Sequence, residues 1–363
     1  MSNNSFLSRY SFFRNSVSPI VNNKFSVLYQ YMMKKKEISI QLKSGIELTL
    51  TRDEMHLLGK VKEALEYGIS IRFTEQTMYL SAYPVLDLTM GVSSFKGIEL
   101  LNVISIVLNC VKFGIEVKVV NGYDKNEGDQ NRIYIDPLHK IIISQSGIKF
   151  YIDSIIPGIF KETFIQEIHS KTGNNFSDMK VLDVGANFGD SSLYFARNGA
   201  KVYAIEPVKA NFEALKKNVS LNNEFNLELF NLAIGPMGRL NINTKNSLDG
   251  AASGLYSTGG MLKETVNSVP ISLFLKSNGL EYIDLLKMAC MGCEKYLTID
   301  DLLLVKKFVH IEFDPKSEVS DIHRFISLLE SSGFAIKVLN HNIEAGIGKG
   351  RNFGTIYAAR KEI

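Results

Sequence analysis

Between Val181 and Pro207 the chain reads VLDVGANFGDSSLYFARNGAKVYAIEP, and no other stretch constrains the fold as strongly. Lys180 to Val184 is an apolar run too short for a helix and is expected to be a strand. Gly185 and Gly189 bracket a turn where bulky side chains would keep a ligand off the backbone. Asp190 or Ser191 is expected to cap the following helix, which Gly199 stops. Lys201 to Ile205 then resumes strand character and delivers Glu206 and Pro207 to the next turn. Strand, glycine turn, helix and strand make half of a nucleotide-binding βαβ unit.

A chain of 363 residues with 45% hydrophobic side chains is long for one domain and comfortable for two. Its net charge of +3 is too mild for a nucleic-acid surface, so no nucleic-acid partner is expected, and Lys34 to Lys36 reads as a solvated segment. Three cysteines, Cys110, Cys290 and Cys293, make no secreted disulfide framework. A reducing compartment, the cytoplasm, is therefore expected. Arg9 and Arg14 stand without a continuous apolar region, so no signal peptide is read. The most apolar window, Leu100 to Val120, is broken by Asn102, Asn109, Lys112, Glu116 and Lys118, which excludes a transmembrane segment.

In chain order, residues 1–36 read as a Ser- and Asn-rich tail, either loosely packed or docked as an amphipathic segment. Residues 37–150 read as a small α+β subdomain: a hairpin through Thr51, a helix to Gly68 entered by a Thr51/Glu54 capping box, two strands, a helix from Gly97 to Phe113, and further strands. His56, His139 and His169 are isolated there and beyond, and read as surface or satisfied structural histidines. Residues 151–363 alternate strands with helices, which implies a doubly wound parallel sheet. Its strands are expected at Leu227–Ile234, Ile283–Met288, Phe308–Phe313, Phe334–Leu339 and Thr355–Ala359, with helices at 209–221, 297–305 and 321–331. The last two strands lack a helix between them, so one should run antiparallel, at the edge or inside.

The glycine spacing speaks to the ligand. A nicotinamide-binding turn wants G-x-G-x-x-G, which sets backbone amides against a pyrophosphate, whereas this chain has G-x-x-x-G. Asp183, two residues before the first glycine, would repel a diphosphate and suit a cationic ligand. S-adenosylmethionine fits, because it carries an ammonium and a sulfonium, and a ribose diol that both oxygens of Glu206 can hold. Asn187 tolerates a strained turn.

These residues resemble the FkbM family of S-adenosylmethionine-dependent methyltransferases. The resemblance rests on D-V-G-A-N-x-G-D, on A-I-E-P, on Asn231 to Gly235 and on Ile283 to Glu294, in that order. It implies the seven-stranded class I methyltransferase sheet, a cofactor site at Asp183, Gly185, Ala186, Asn187, Gly189, Asp190, Glu206 and Pro207, and O-methylation of a sugar or small-molecule hydroxyl.

The segment Leu285 to Glu294 departs from the family's L-L-K-x-D-x-E-G-x-E by carrying Ala289 and Met291 where two carboxylates are expected. The remaining candidates for catalysis are Glu312 and His310, which with Asp314 alternate on one strand face, and Glu294 and Lys287. The rival reading is a catalytically impaired member serving as a cofactor-binding scaffold. Cys290-x-x-Cys293 lacks the second ligand pair of a zinc site and reads as two small residues packing a turn. The insertion at 246–260 reads as a surface loop or a lid.

Overall fold

The computed structural model describes residues 11, 13–33, 35–43, 47–51, 55, 58–73, 76–82, 86–122, 132–173, 175–244, 262–290, 292–313, 322–343 and 353–361. Glu54, His56, the insertion 246–260, Met291, Asp314 and Asp321 lie outside them. The chain forms two compact units, Met1–Pro157 and Gly158–Ile363.

The first unit contains the expected hairpin, Glu37–Gln41 paired antiparallel with Glu47–Thr51, and alternate residues of its first strand are buried. The helix Gly97–Phe113 ends at Gly114, whose φ of 69° accepts the left-handed closing turn. It is buried along nearly its whole length, so its polar Asn102 needs a partner and donates its side-chain amide to Ile152 O at 2.8 Å. Ser70–Phe73, Thr77–Ala82 and an unforeseen strand, Leu86–Gly91, form one small sheet. Lys149–Tyr151, across the boundary expected at 150, pairs with Ile141–Ile143 in a four-stranded sheet of the first unit. The described part of 1–36 is docked: Phe13, Val17 and Val27 are buried, Val21 bridges to Leu42, and Asn23 accepts from Gln41 N at 2.8 Å.

The second unit is built on seven strands: β1 (Lys180–Val184), β2 (Lys201–Ile205), β3 (Leu227–Phe230), β4 (Ile283–Met288), β5 (Val305–Phe313), β6 (Phe334–Ile343) and β7 (Phe353–Arg360). Their order is β3-β2-β1-β4-β5-β7-β6, parallel except for β7, which runs antiparallel to both neighbours. The antiparallel strand therefore lies inside the sheet. β1 and β4 are apolar runs buried over nearly every residue, as a strand covered on both faces requires.

The helices are α1 (Asp190–Arg197), α2 (Lys209–Ser220), α3 (Ile271–Ser277), α4 (Ile299–Leu303) and α5 (Ile322–Ser331). One sheet face, with Leu182, Val184, Ile205, Leu286 and Ile311, joins Phe274, Leu302 and Phe325 from α3, α4 and α5 in a single apolar core. α3 went unread, since it is short and has no polar cap. The expected strand Leu227–Ile234 divides: after β3, Ala233–Ile234 turns away into a small sheet with Gly238–Thr244 and Leu262–Val269, the strands flanking the insertion. Among the described residues, no helix is long and apolar enough to cross a membrane.

Candidate active site at the carboxyl ends of the strands

The turn after β1 is held by the next strand. Gly185 N and Ala186 N both donate to Ile205 O, at 2.9 and 3.0 Å. Glu206, one residue further, is buried, and its two oxygens accept Asn187 N and Val208 N, each at 2.9 Å. Asn231 clips the far side, donating to Glu206 O at 2.9 Å and Pro207 O at 3.1 Å. Asn187 takes φ 50°, which asparagine tolerates better than most residues, and its buried Oδ1 has no hydrogen-bond partner among the described residues.

The two glycines are required, for a reason other than ligand access. Gly185 has φ 84°, and a Cβ there would lie 2.4 Å from Ala289 O; at Gly189, φ 95°, it would lie 2.7 Å from Leu215 Cδ1. The chain's own packing fills the space. The helix start also differs from expectation. Gly189 is the N-cap, Asp190 is the first helical residue, and Ser191 turns inward instead of capping.

Ser191 and Ser192 donate to Asp183 Oδ2 at 2.7 and 2.6 Å, and Lys287 Nζ pairs with Asp183 Oδ1 at 3.0 Å. Asp183 was expected to face a cationic ligand; in the structure its charge is met within the protein by Lys287, which also donates to Gly185 O at 3.3 Å. Burial pulls the Lys287 pKa down, but Asp183, Glu312 and Asp190 outweigh it and hold the ammonium above its ordinary value. The charged form of Lys287 is thus favoured where it sits.

The sheet register aligns Asp183 with Lys287, Lys287 with His310, and His310 with Tyr357, so four strands contribute one polar row. His310 is buried, stacks on Tyr357 with ring centres 4.1 Å apart, and sets Nε2 3.4 Å from Glu312 Oε1. Glu312 keeps 19% side-chain exposure, while His310 keeps 1%. Burial chiefly raises the Glu312 pKa to about 7, against the lowering effect of Lys287 and with that of Glu162 added. Burial likewise raises Asp190 to about 7, although Lys287 and the Thr163 hydroxyl, 2.5 Å away, favour its charge. Glu206 is also raised to about 7 by burial, against its two backbone donors.

Several participants were not foreseen. His169, read as a surface or structural histidine, is buried 5.4 Å ring to ring from His310 and beside Phe195 of α1. Burial first, then Lys287, lowers its pKa to about 3, so it is neutral. Thr163 and Glu162 come from a π-turn at Lys161–Ile165, and Tyr357 donates to Ile168 O at 2.8 Å. None of these carries a local motif. Glu294 braces its own turn, accepting Gly292 N at 2.7 Å. Cys290 and Cys293 are joined by a disulfide, which corrects their reading as two packing residues.

The strand order with an internal antiparallel strand, the acid ending β2 and the turn it clamps define a class I S-adenosylmethionine-dependent methyltransferase fold. Residues 183–336 match the family described as the methyltransferase FkbM domain. No curated protein matches the chain. Similar solved structures include an rRNA methylase from Streptococcus thermophilus, at 9% identity and TM-score 0.36, covering 54% of this chain and 95% of that one. Magnesium protoporphyrin IX methyltransferase from Synechocystis with bound SAM is another, at 14% identity and TM-score 0.35, covering 56% of this chain and 80% of that one. At these scores the likenesses add nothing to what the sheet order already states.

Proposed function

We propose that the second unit is an S-adenosylmethionine-dependent methyltransferase acting on a hydroxyl of a sugar or small molecule. The observation that carries the cofactor reading is the clamp of Glu206 on the Asn187 and Val208 amides, with Asn187 Oδ1 buried beside it and without a hydrogen-bond partner among the described residues. A carboxylate oxygen accepts two hydrogen bonds, so Glu206 retains capacity for a diol, and Asn187 Oδ1 awaits a donor. These acceptors therefore fit the cofactor.

Asn187 and Glu206, with the backbone of Gly185, Ala186, Gly189 and Pro207, would hold it. S-adenosylmethionine would supply an activated methyl group. Asp183 and Asp190 act from behind the turn, Asp183 by fixing Ser191, Ser192 and Lys287, Asp190 through Thr163. The protein's further task is to take a proton from the acceptor hydroxyl, and Glu312 suits it: half-buried, with a pKa raised to about 7, near the optimum for a general base at neutral pH. His310, with Nε2 3.4 Å from Glu312 Oε1, is the neighbour that would orient it.

Calorimetric titration of the intact protein tests the first half. Saturable 1:1 binding of S-adenosylmethionine is expected, and it should weaken in Glu206→Ala. No binding, or equal affinity in that variant, overturns the site. Transfer of label from methyl-labelled cofactor to a panel of glycans and small hydroxyl compounds tests the second half; transfer to an amine or to nucleic acid alone would refute the hydroxyl reading.

A further inference from the structure

The Cys290–Cys293 disulfide closes the segment that walls the turn after β1. Ala289 N donates to Val184 O at 2.9 Å, and Gly185 lies flat on the same segment, with the site of its missing Cβ 2.4 Å from Ala289 O and 3.2 Å from Cys290 Cα. The three atoms nearest that position are all backbone atoms, of Ala289 and Cys290. Gly292, at φ 127°, and the buried Glu294 complete the closure: Glu294 Oε2 accepts Gly292 N and lies 3.5 Å from Cys290 Sγ. The two sulfurs differ in access, since Cys290 is half-buried and Cys293 is 6% exposed. Cys110, the third cysteine, is free, and its thiol pKa is pushed up by complete burial, so it does not compete.

We propose that Cys290 and Cys293 form a thiol–disulfide exchange site, with a low-molecular-weight disulfide or its dithiol as substrate, and that its state tunes the turn Gly185–Gly189. In the oxidising direction the Cys290 thiolate attacks one sulfur of the small disulfide. A mixed disulfide forms and one thiolate leaves. The Cys293 thiolate then attacks Cys290 Sγ, expelling the second thiolate. The protein loses two electrons and two protons; the small disulfide gains both and departs as two thiols, or as one dithiol where it is cyclic. Reduction reverses the sequence, entering at the accessible Cys290. In the reduced state the 290–293 segment loses its covalent closure, and the turn it supports through Val184 and Gly185 is freed to move. That this alters cofactor binding rests on the proposed function above; the exchange itself does not.

The experiment equilibrates the full chain with oxidised or reduced dithiothreitol, alkylates free thiols and maps them by mass spectrometry. Hydrogen exchange of the Gly185–Gly189 amides and S-adenosylmethionine affinity are then measured on both forms. Expected are protection of Cys290 and Cys293 from alkylation only after oxidation, and a change of about 5-fold or more in amide exchange between the forms. Both responses should vanish in Cys290→Ser. Persistent alkylation after oxidation, or identical turn exchange in the two forms, overturns the proposal. Stoichiometric zinc uptake by the reduced protein that blocks oxidation would also overturn it, reassigning the pair and Glu294 as metal ligands. If the turn responds while neither form binds the cofactor, the exchange site stands and the cofactor reading falls.

Discussion

Replacing Lys287 with methionine keeps the stem that packs within the sheet and deletes the charge paired with Asp183. The side chains are 5% and 0% exposed, and their charged atoms lie 3.0 Å apart. Removing one partner of such a pair leaves a buried carboxylate uncompensated, a loss of about 3–5 kcal/mol. Asp183→Asn alone strands the ammonium instead. It should cost less, because Glu312 and Asp190 also stabilise Lys287, while Ser191 and Ser192 can still donate to the amide oxygen. The double variant removes both charges, so its cost should fall short of the sum by about 2 kcal/mol or more. Native-state hydrogen exchange of the β1 and β4 amides reads this locally, since it reports opening of the second unit whatever the first unit does. Three variants and the parent complete the cycle. Additivity within about 0.5 kcal/mol would refute the claim that the pair acts as a unit. A second readout checks the same reasoning: Lys287 lowers the pKa of Glu312, Asp190 and Glu206, so Lys287→Met should move carboxyl titrations to higher pH.

The raised carboxyls make stability of the second unit depend on pH. Asp190, Glu206 and Glu312 hold protons in the folded state up to about 7 and lose them near pH 4 when unfolded, so they favour folding at low pH and that contribution is lost as pH rises through about 7. His169, depressed to about 3, opposes this below pH 6.5, but three carboxyls outnumber one imidazole. Amide opening energies should therefore fall between pH 5 and 8, and Asp190→Asn should flatten the slope; a slope unchanged by that variant would count against the buried carboxyl. Gly185→Ala must accept φ 84° and a contact of 2.4 Å with Ala289 O, so a loss of about 2 kcal/mol or more, seen as a lower thermal midpoint, is expected. A Glu312→Gln enzyme should keep cofactor affinity while methyl transfer falls about 10²-fold or more. Equal loss of both would place Glu312 in binding instead.

The local part of the site was legible because its information is local. Val181–Pro207 spells strand, turn, helix and strand, and each step depends on neighbours a few residues away: the apolar run of β1, the positive φ at Gly185, Asn187 and Gly189, and the acid ending β2. The antiparallel final strand was legible for a similar reason, since no helix was read between it and β6 to serve as a crossover. The cap was misread because Asp190 and Ser191 were judged by residue type, while their hydroxyl and carboxyl groups had better partners in Thr163 and Asp183. The amino acid sequence alone thus determined the fold class and the strand, turn, helix and strand around Gly185. Only the tertiary structure decided what surrounds that turn. Asp183, Lys287, His310 and Tyr357 become neighbours through the register of four strands, which long-range pairing sets and no local pattern encodes. The same packing buried His169 against that row and closed Cys290 on Cys293 beside Gly185. It thereby turned residues that looked isolated in the sequence into parts of one site.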